Sequence, residues 1–392
     1  MALIKLERYE TAIPFLLRAI EISPDDTALH IKIAQTFEEI GRNEEAVGFY
    51  LKSLELEPDN PEWIMETSYA EANMAALMTE RGDSDAGTAL THIKAAVEIN
   101  RKVIQMAPDN PTYRSEYGGT LAWLADTQLM VCDLGDALIS RQEQVAIARE
   151  QFEKSPGNAG LKNLYAYSLT GLASVSYQVG LPEVALENYF RAKEILGQLS
   201  LVEPSNLSQR FAYLMRASYW AEVLADLGRL QEALVEMESL REPLRQVLET
   251  ESWENLKRHI NWVSYLLRFS DMKWRTGSQD DAAALLSEAV DHLGRLIAKE
   301  ADRATYMDRI LTARFLYWQQ EGKDLFDSHF AALGRSDDLA PDRSCQAQAS
   351  MVMQTIMAED LEAARKLTAN LLARGYYEPR FIRICRQYDI CQ

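Results

Sequence analysis

The stretch Glu57-Pro58-Asp59-Asn60-Pro61 returns as Ala107-Pro108-Asp109-Asn110-Pro111, then as Ser155-Pro156-Gly157-Asn158 and Glu203-Pro204-Ser205-Asn206. The shared triplet, proline, any residue, asparagine, recurs at steps of 50, 48 and 48 residues. One further step reaches Trp253-Glu254-Asn255, where only the asparagine persists. Self-similarity at a fixed period of this size marks a stacked-repeat architecture. A second punctuation, out of phase with the first, is Gly82, Gly135, Gly180, Gly228 and Gly277. Each period therefore reads as two helices and two turns.

Glycine at mid-period suits a helix end that turns left-handed, and Pro182 after Gly180 opens the next helix without losing a needed donor. The asparagine that follows each proline offers a side-chain oxygen to cap the next helix. Tyr165, Leu169, Leu172, Ser176 and Val179 fall on one helical face, and Ala185, Tyr189 and Ala192 on the next. No single pair of helices can bury both faces, so neighbours must stack around one continuous core. Pro243, inside an expected second helix, is read as a bend.

The unit Thr27–Asn60 resembles a tetratricopeptide repeat: Ile33, Ala34 and Phe37 in the first helix, Gly41 at the turn, Ala46, Tyr50 and Ser53 in the second, then Pro58. Ser53 and His30 stand where the family usually has an alanine and an aromatic. Residues 6–26 resemble the second half of another unit. From Pro61 the units lengthen to about 48 to 50 residues and are similar to the long-helix tetratricopeptide arrays attached to bacterial signalling proteins, with Pro108, Asp109, Asn110 and Tyr113 in the expected places. The resemblance implies an all-α fold, a right-handed superhelical solenoid of antiparallel helix pairs. Three regions are expected: regular repeats over 1–60, the first truncated; extended repeats over 61–304; and divergent helical hairpins with a cap over 305–392. A truncated first helix suggests a fragment, or a late start codon, with an output domain such as a kinase, a cyclase or a winged-helix regulator missing upstream.

Composition agrees. Only 18 Gly and 12 Pro in 392 residues starve a β-rich fold of turn residues. A net charge of -18 opposes general attraction to nucleic acid or anionic membranes, and no apolar run has the length of a membrane span. The first nine residues, MALIKLERY, lack a secretory signal pattern, so a cytoplasmic protein is expected. Of four cysteines, Cys132 stands alone in sequence, whereas Cys345, Cys385 and Cys391 lie close enough for one bridge in an oxidising compartment.

No motif for catalysis, phosphate binding or metal ligation stands out. The five histidines are scattered, and adjacent carboxylates such as Glu38/Glu39 read as solvated helix faces. Neither a cofactor, a metal nor an enzymatic activity is expected. Residues 361–392 carry a local excess of base, including Arg365, Arg380, Arg383 and Arg386. Its simplest reading is that Phe381, Ile384, Cys385 and Tyr388 pack inward while the arginines stay wet or pair with the acidic array.

Function is then expected on the concave wall lined by the first helix of each unit. Offset from the core stripe places Gln35, Glu38, Tyr69, Asn73, Trp123, Tyr167, Thr170, Arg216, Tyr219, Tyr265 and Arg268 there. Tyr, Trp and Arg dominate protein hot spots. The leading expectation is a protein-interaction scaffold for a basic or amphipathic protein or peptide. The alternative is a sensory arm of a larger signalling protein.

Overall fold

The computed structural model describes residues 8–80, 86–250, 253, 255–299, 307–322 and 344–391. Among these, every regular element is a helix. They pack as two compact units, Met1–Val131 and Cys132–Gln392, a division different from that by repeat length. Among the described residues, no helix is long and apolar enough to cross a membrane.

The first unit holds α1 (Tyr9–Ile22), α2 (Thr27–Glu38), α3 (Asn43–Leu56), α4 (Pro61–Glu80), α5 (Ala86–Met106) and α6 (Pro111–Met130). Each helix packs on the next, and α4 also touches α6. Ile33, Ala34, Phe37, Ala46 and Tyr50, the residues that carried the repeat resemblance, are all buried in one cluster.

The second unit continues with α7 (Leu134–Lys154), α8 (Ala159–Gln178), α9 (Pro182–Val202), α10 (Leu207–Asp226), α11 (Leu230–Thr250), α12 (Leu256–Arg275), α13 (Gln279–Lys299) and α14 (Met307–Glu321). After them come α15 (Cys345–Met357), α16 (Leu361–Ala373) and α17 (Pro379–Gln387). Consecutive helices pack pairwise from α7 to α14, while the first helices of successive pairs, α10, α12 and α14, also touch.

The repeated asparagines do what their position implies. Asn110 Oδ1 accepts from Thr112 and Tyr113 N–H at 3.0 and 3.3 Å. Asn158 and Asn206 cap α8 and α10 in the same way, with Gly160 N at 2.9 Å and Gln209 N at 3.1 Å. Asn255 opens α12 without a side-chain cap, and Glu254 beside it lies outside the described residues.

The glycine column is partly different from expectation. Gly180, Gly228 and Gly277 adopt φ of +79°, +85° and +79°, each two residues before the second helix of its pair. In each the next residue's N–H reaches back five positions, as Leu181 N to Ser176 O at 2.8 Å, which closes the helix end. Gly135 is no such turn; it lies inside α7. Cys132, φ +59°, holds that place instead. Gly82 and the loop-like stretch 335–342 lie outside the described residues. Pro243 does fall inside a helix, α11.

Bonds between neighbouring repeats carry the period in their numbering. Arg275 Nη1 donates to Asp226 Oδ1 at 3.0 Å across 49 residues. Arg258 donates to Ser208, Arg268 to Ser218 and Gln320 to Ser270, each across 50. Adjacent repeats are therefore stitched at equivalent positions as well as packed.

In the C-terminal segment α15 packs on α14 and α16 on α15, and the same segment also returns to earlier repeats. A disulfide joins Cys345 at the start of α15 to Cys132, with Cα atoms 4.9 Å apart. Tyr377 N–H then donates to Gln178 O at 2.8 Å, beside Gly180. Arg383 pairs with Asp271 at 2.9 Å and approaches Asp226 at 3.8 Å. Tyr388 meets Gln319 at 3.3 Å and the rings of Phe315 and Trp318. These partners lie at the turn ends of successive first helices, so the segment is a strap laid across the hairpin turns of the second unit. Phe381, Ile384 and Cys385 are buried as the sequence suggests. The bridge that the sequence allowed among the last three cysteines is absent there: Cys385 and Cys391 are free.

Candidate functional site

In the first unit, Tyr69 and Asn73 on α4 and Trp123 on α6 are exposed, Tyr69 by 43% and Trp123 by 50%. Asn73 and Trp123 each stand twelve residues after the proline that opens their helix. Burial and the neighbouring Glu116 carboxylate push the Tyr69 hydroxyl up, so it remains a neutral donor. Gln35 and Glu38 are half-buried and engaged: Gln35 accepts from Lys32 at 3.4 Å, and Glu38 from the Tyr50 hydroxyl at 2.7 Å.

The second unit gathers five of the expected residues. The Arg216 guanidinium lies 4.7 Å from the ring centre of Tyr167 and donates to Thr170 Oγ1 at 3.3 Å. One repeat on, the Arg268 guanidinium covers Tyr219 at 4.8 Å. Stacking of this kind fixes a long cationic side chain in one place. Thr170, Arg216, Tyr219 and Arg268 line one cavity of about 440 Å³, and Tyr167 backs Arg216 from outside it.

Tyr265 does not belong to this wall. It is fully buried, and its hydroxyl donates to Met237 O of α11 at 2.6 Å. It stands twelve residues before its turn glycine, as Arg216 does. At that position a guanidinium extends outward along an aromatic neighbour, whereas a phenol lies back against the preceding helix.

The cavity is built from more than the inner wall. Ser174 of α8, Glu222 of α10, Asn261 and Ser264 of α12, and Arg309 and Thr312 of α14 complete the wall, while Gln346, Glu378 and Arg380 come from the strap. Burial pushes Glu222 up to about 7, with Arg268 and Arg380 opposing it and Asp226 and Glu378 adding to it. Burial likewise raises Glu378, which accepts a hydrogen bond from the Tyr376 hydroxyl. Sequence reading could reach the wall residues through the repeat offset. It had no signal for the strap residues, which arrive from far along the chain. Among the described residues no group of three His, Cys, Asp or Glu is placed to hold a metal ion.

Residues 3–65 match the tetratricopeptide repeat family model. No curated protein matches the chain. Among solved structures, the apo form of RapI is similar over 97% of this chain and 96% of its own, at 10% identity with a TM-score of 0.53. A tetratricopeptide repeat protein from Parabacteroides merdae covers 92% of this chain and 98% of its own, at 11% identity with a TM-score of 0.41. TTC0263 from Thermus thermophilus matches 55% of this chain and 93% of its own, at 18% identity with a TM-score of 0.30. The leading segment matches the tetratricopeptide repeat family by sequence, and the stacked helical pairs share their fold with RapI over nearly the full length.

Proposed function

We propose that the protein is a non-enzymatic interaction scaffold and that the first unit receives its protein or peptide partner. The observation that carries this reading is the exposure of Tyr69, Asn73 and Trp123 on α4 and α6, first helices that touch each other. Large amphipathic rings left in water on adjacent helices are the residue types that anchor interfaces. Residues 1–60 carry a net charge of -6, which favours a basic or amphipathic partner and weaker binding at high salt. In the second unit, exposed Tyr167 extends the same reading, whereas its neighbours face the cavity.

The fold's likeness to RapI supports the architecture, and the role is our inference from the exposed residues. A photo-crosslinking residue placed at Asn73 should label the bound partner, and the Tyr69→Ala/Trp123→Ala variant should lose capture with unchanged helix content. Capture that survives in the double variant would sink this assignment.

The cysteine pair bears on location. A bridge between Cys132 and Cys345 fits an oxidising compartment better than the expected cytoplasm. We therefore place the working protein where disulfides persist, a reading that free-thiol labelling of protein from the native cell would test.

A further inference from the structure

We propose that the cavity between the inner wall of the second unit and the strap binds a small hydroxylated organic acid. This site is separate from the partner surface of the first unit and does not depend on it. At about 440 Å³ the cavity lies within the size range of small-molecule pockets.

Charge is the first argument. Four guanidinium groups, Arg216, Arg268, Arg309 and Arg380, line the cavity against two carboxyl groups, Glu222 and Glu378. The chain as a whole carries -18. A local excess of cation inside an acidic protein focuses its field on an anion of low charge. The two carboxyl groups work against a polyphosphate.

Unmet hydrogen-bonding capacity is the second argument. Arg380 Nη2 and Arg268 Nε are buried with no hydrogen-bond acceptor in the protein. Arg268 Nε has Glu222 at 3.5 Å, an ion-pair separation too long for a hydrogen bond. A buried donor left without an acceptor is costly, and a carboxylate oxygen at either position would recover that loss. Guanidinium groups already stacked on Tyr167 and Tyr219 need little reordering to receive it.

The rest of the lining selects for hydroxyl groups. Thr170, Ser174, Ser264 and Thr312 present hydroxyls, and Asn261 and Gln346 present amides. Leu267 is the one aliphatic side chain among the described lining residues. An apolar peptide side chain would gain little burial here, whereas a polyol would find paired donors and acceptors. Glu222, held up to about 7 by burial, is in part protonated at neutral pH, and its protonated form can donate to an anionic oxygen. The strap residues Gln346, Glu378 and Arg380 roof the space, which suits a compact ligand over an extended chain.

The test is calorimetric titration of the full, oxidised chain with glucuronate, gluconate, glucose and inorganic phosphate. The proposal expects glucuronate or gluconate to bind at least about tenfold more tightly than glucose or phosphate. Arg380→Met should abolish that binding. Should Arg380→Met misfold, Asn261→Leu, which fills the cavity and leaves the charges in place, should weaken binding at least about tenfold with an unchanged circular dichroism spectrum. Silence from both acids at about 10 mM would overturn the proposal. So would phosphate or glucose binding as tightly as the acids, or acid binding that both variants leave intact.

Discussion

Arg383 Nη2 of the strap lies 2.9 Å from Asp271 Oδ2 at the end of α12, 112 residues earlier in the chain. The same aspartate lies 3.7 Å from Arg275, which in turn holds Asp226, so two repeats and the strap share one ion cluster. Burial works to raise the Asp271 carboxyl, but Arg383 and Arg380 outweigh it and hold it below the usual carboxylate range. Its folded value is depressed, so its stabilisation is present above the unfolded value near 3.8 and is lost as pH falls through the folded one. Asp271→Asn should cost about 2–4 kcal/mol at neutral pH, since it strands a buried cation. Denaturant unfolding at pH 7 and pH 3 checks it, and the variant should lose less than the native chain on acidification.

Cys132 gives a sharper prediction because it combines two demands, a left-handed backbone and a cross-link. The bridge closes a segment of 213 residues, for which the chain-entropy account gives about 5 kcal/mol. Reductant should lower the melting temperature of the native chain. Cys132→Gly should be less damaging than Cys132→Ser by about 1 kcal/mol, because glycine alone accepts the backbone without strain. Equal melting temperatures with and without reductant would remove the bridge from the account.

Gly180 and Gly228 share a backbone conformation and differ in surroundings. A Cβ on Gly180 would come within 2.7 Å of Tyr377 Cβ, whereas on Gly228 it meets nothing within 4 Å. Gly228→Ala should cost about 1 kcal/mol from backbone strain alone. Gly180→Ala should cost about 1–3 kcal/mol more and displace the strap. Limited proteolysis should then cut residues 376–391 faster in Gly180→Ala only.

His292 supplies the pH prediction on the other flank of the unit. His259 Nδ1 and His292 Nε2 lie 3.0 Å apart, and both rings stack on Trp253 with centroids 4.0 and 4.9 Å away. Burial, with His259 adding to it, pushes His292 down to about 4. The folded value lies below the unfolded one near 6.5, so stability held above 6.5 drains away as pH falls toward 4. Between pH 7 and pH 5 this amounts to about 2 kcal/mol, and His292→Asn should flatten that part of the slope. Identical urea midpoints for the two proteins at pH 5 and pH 7 would contradict it.

The triplets and glycines of the sequence were enough to locate every long helix pair, because caps and turns are local chemistry. Asn110, Asn158 and Asn206 open their helices through their own side chains, and Gly180 needs only its own backbone. Gly135 misled because a nearby cysteine had taken the turn. The offset picks out Arg216 and Tyr219, which line the cavity, together with Tyr265, which is buried, since ring and guanidinium choose opposite sides of the same position. The strap was illegible for a deeper reason: its partners are set by tertiary return of the chain, and neither Cys345 nor Arg383 carries a local mark of where it will land.

Stacked-hairpin proteins ordinarily evolve by copying or dropping a hairpin, since each layer needs only its two neighbours. In the second unit that freedom is gone. The strap touches Cys132, then Gln178, then Asp226 and Asp271, then Gln319, in chain order. An inserted or deleted layer would leave every later touchpoint one hairpin out of step, so this tail acts as a tally stick that fixes how many layers lie between Cys132 and Gln319.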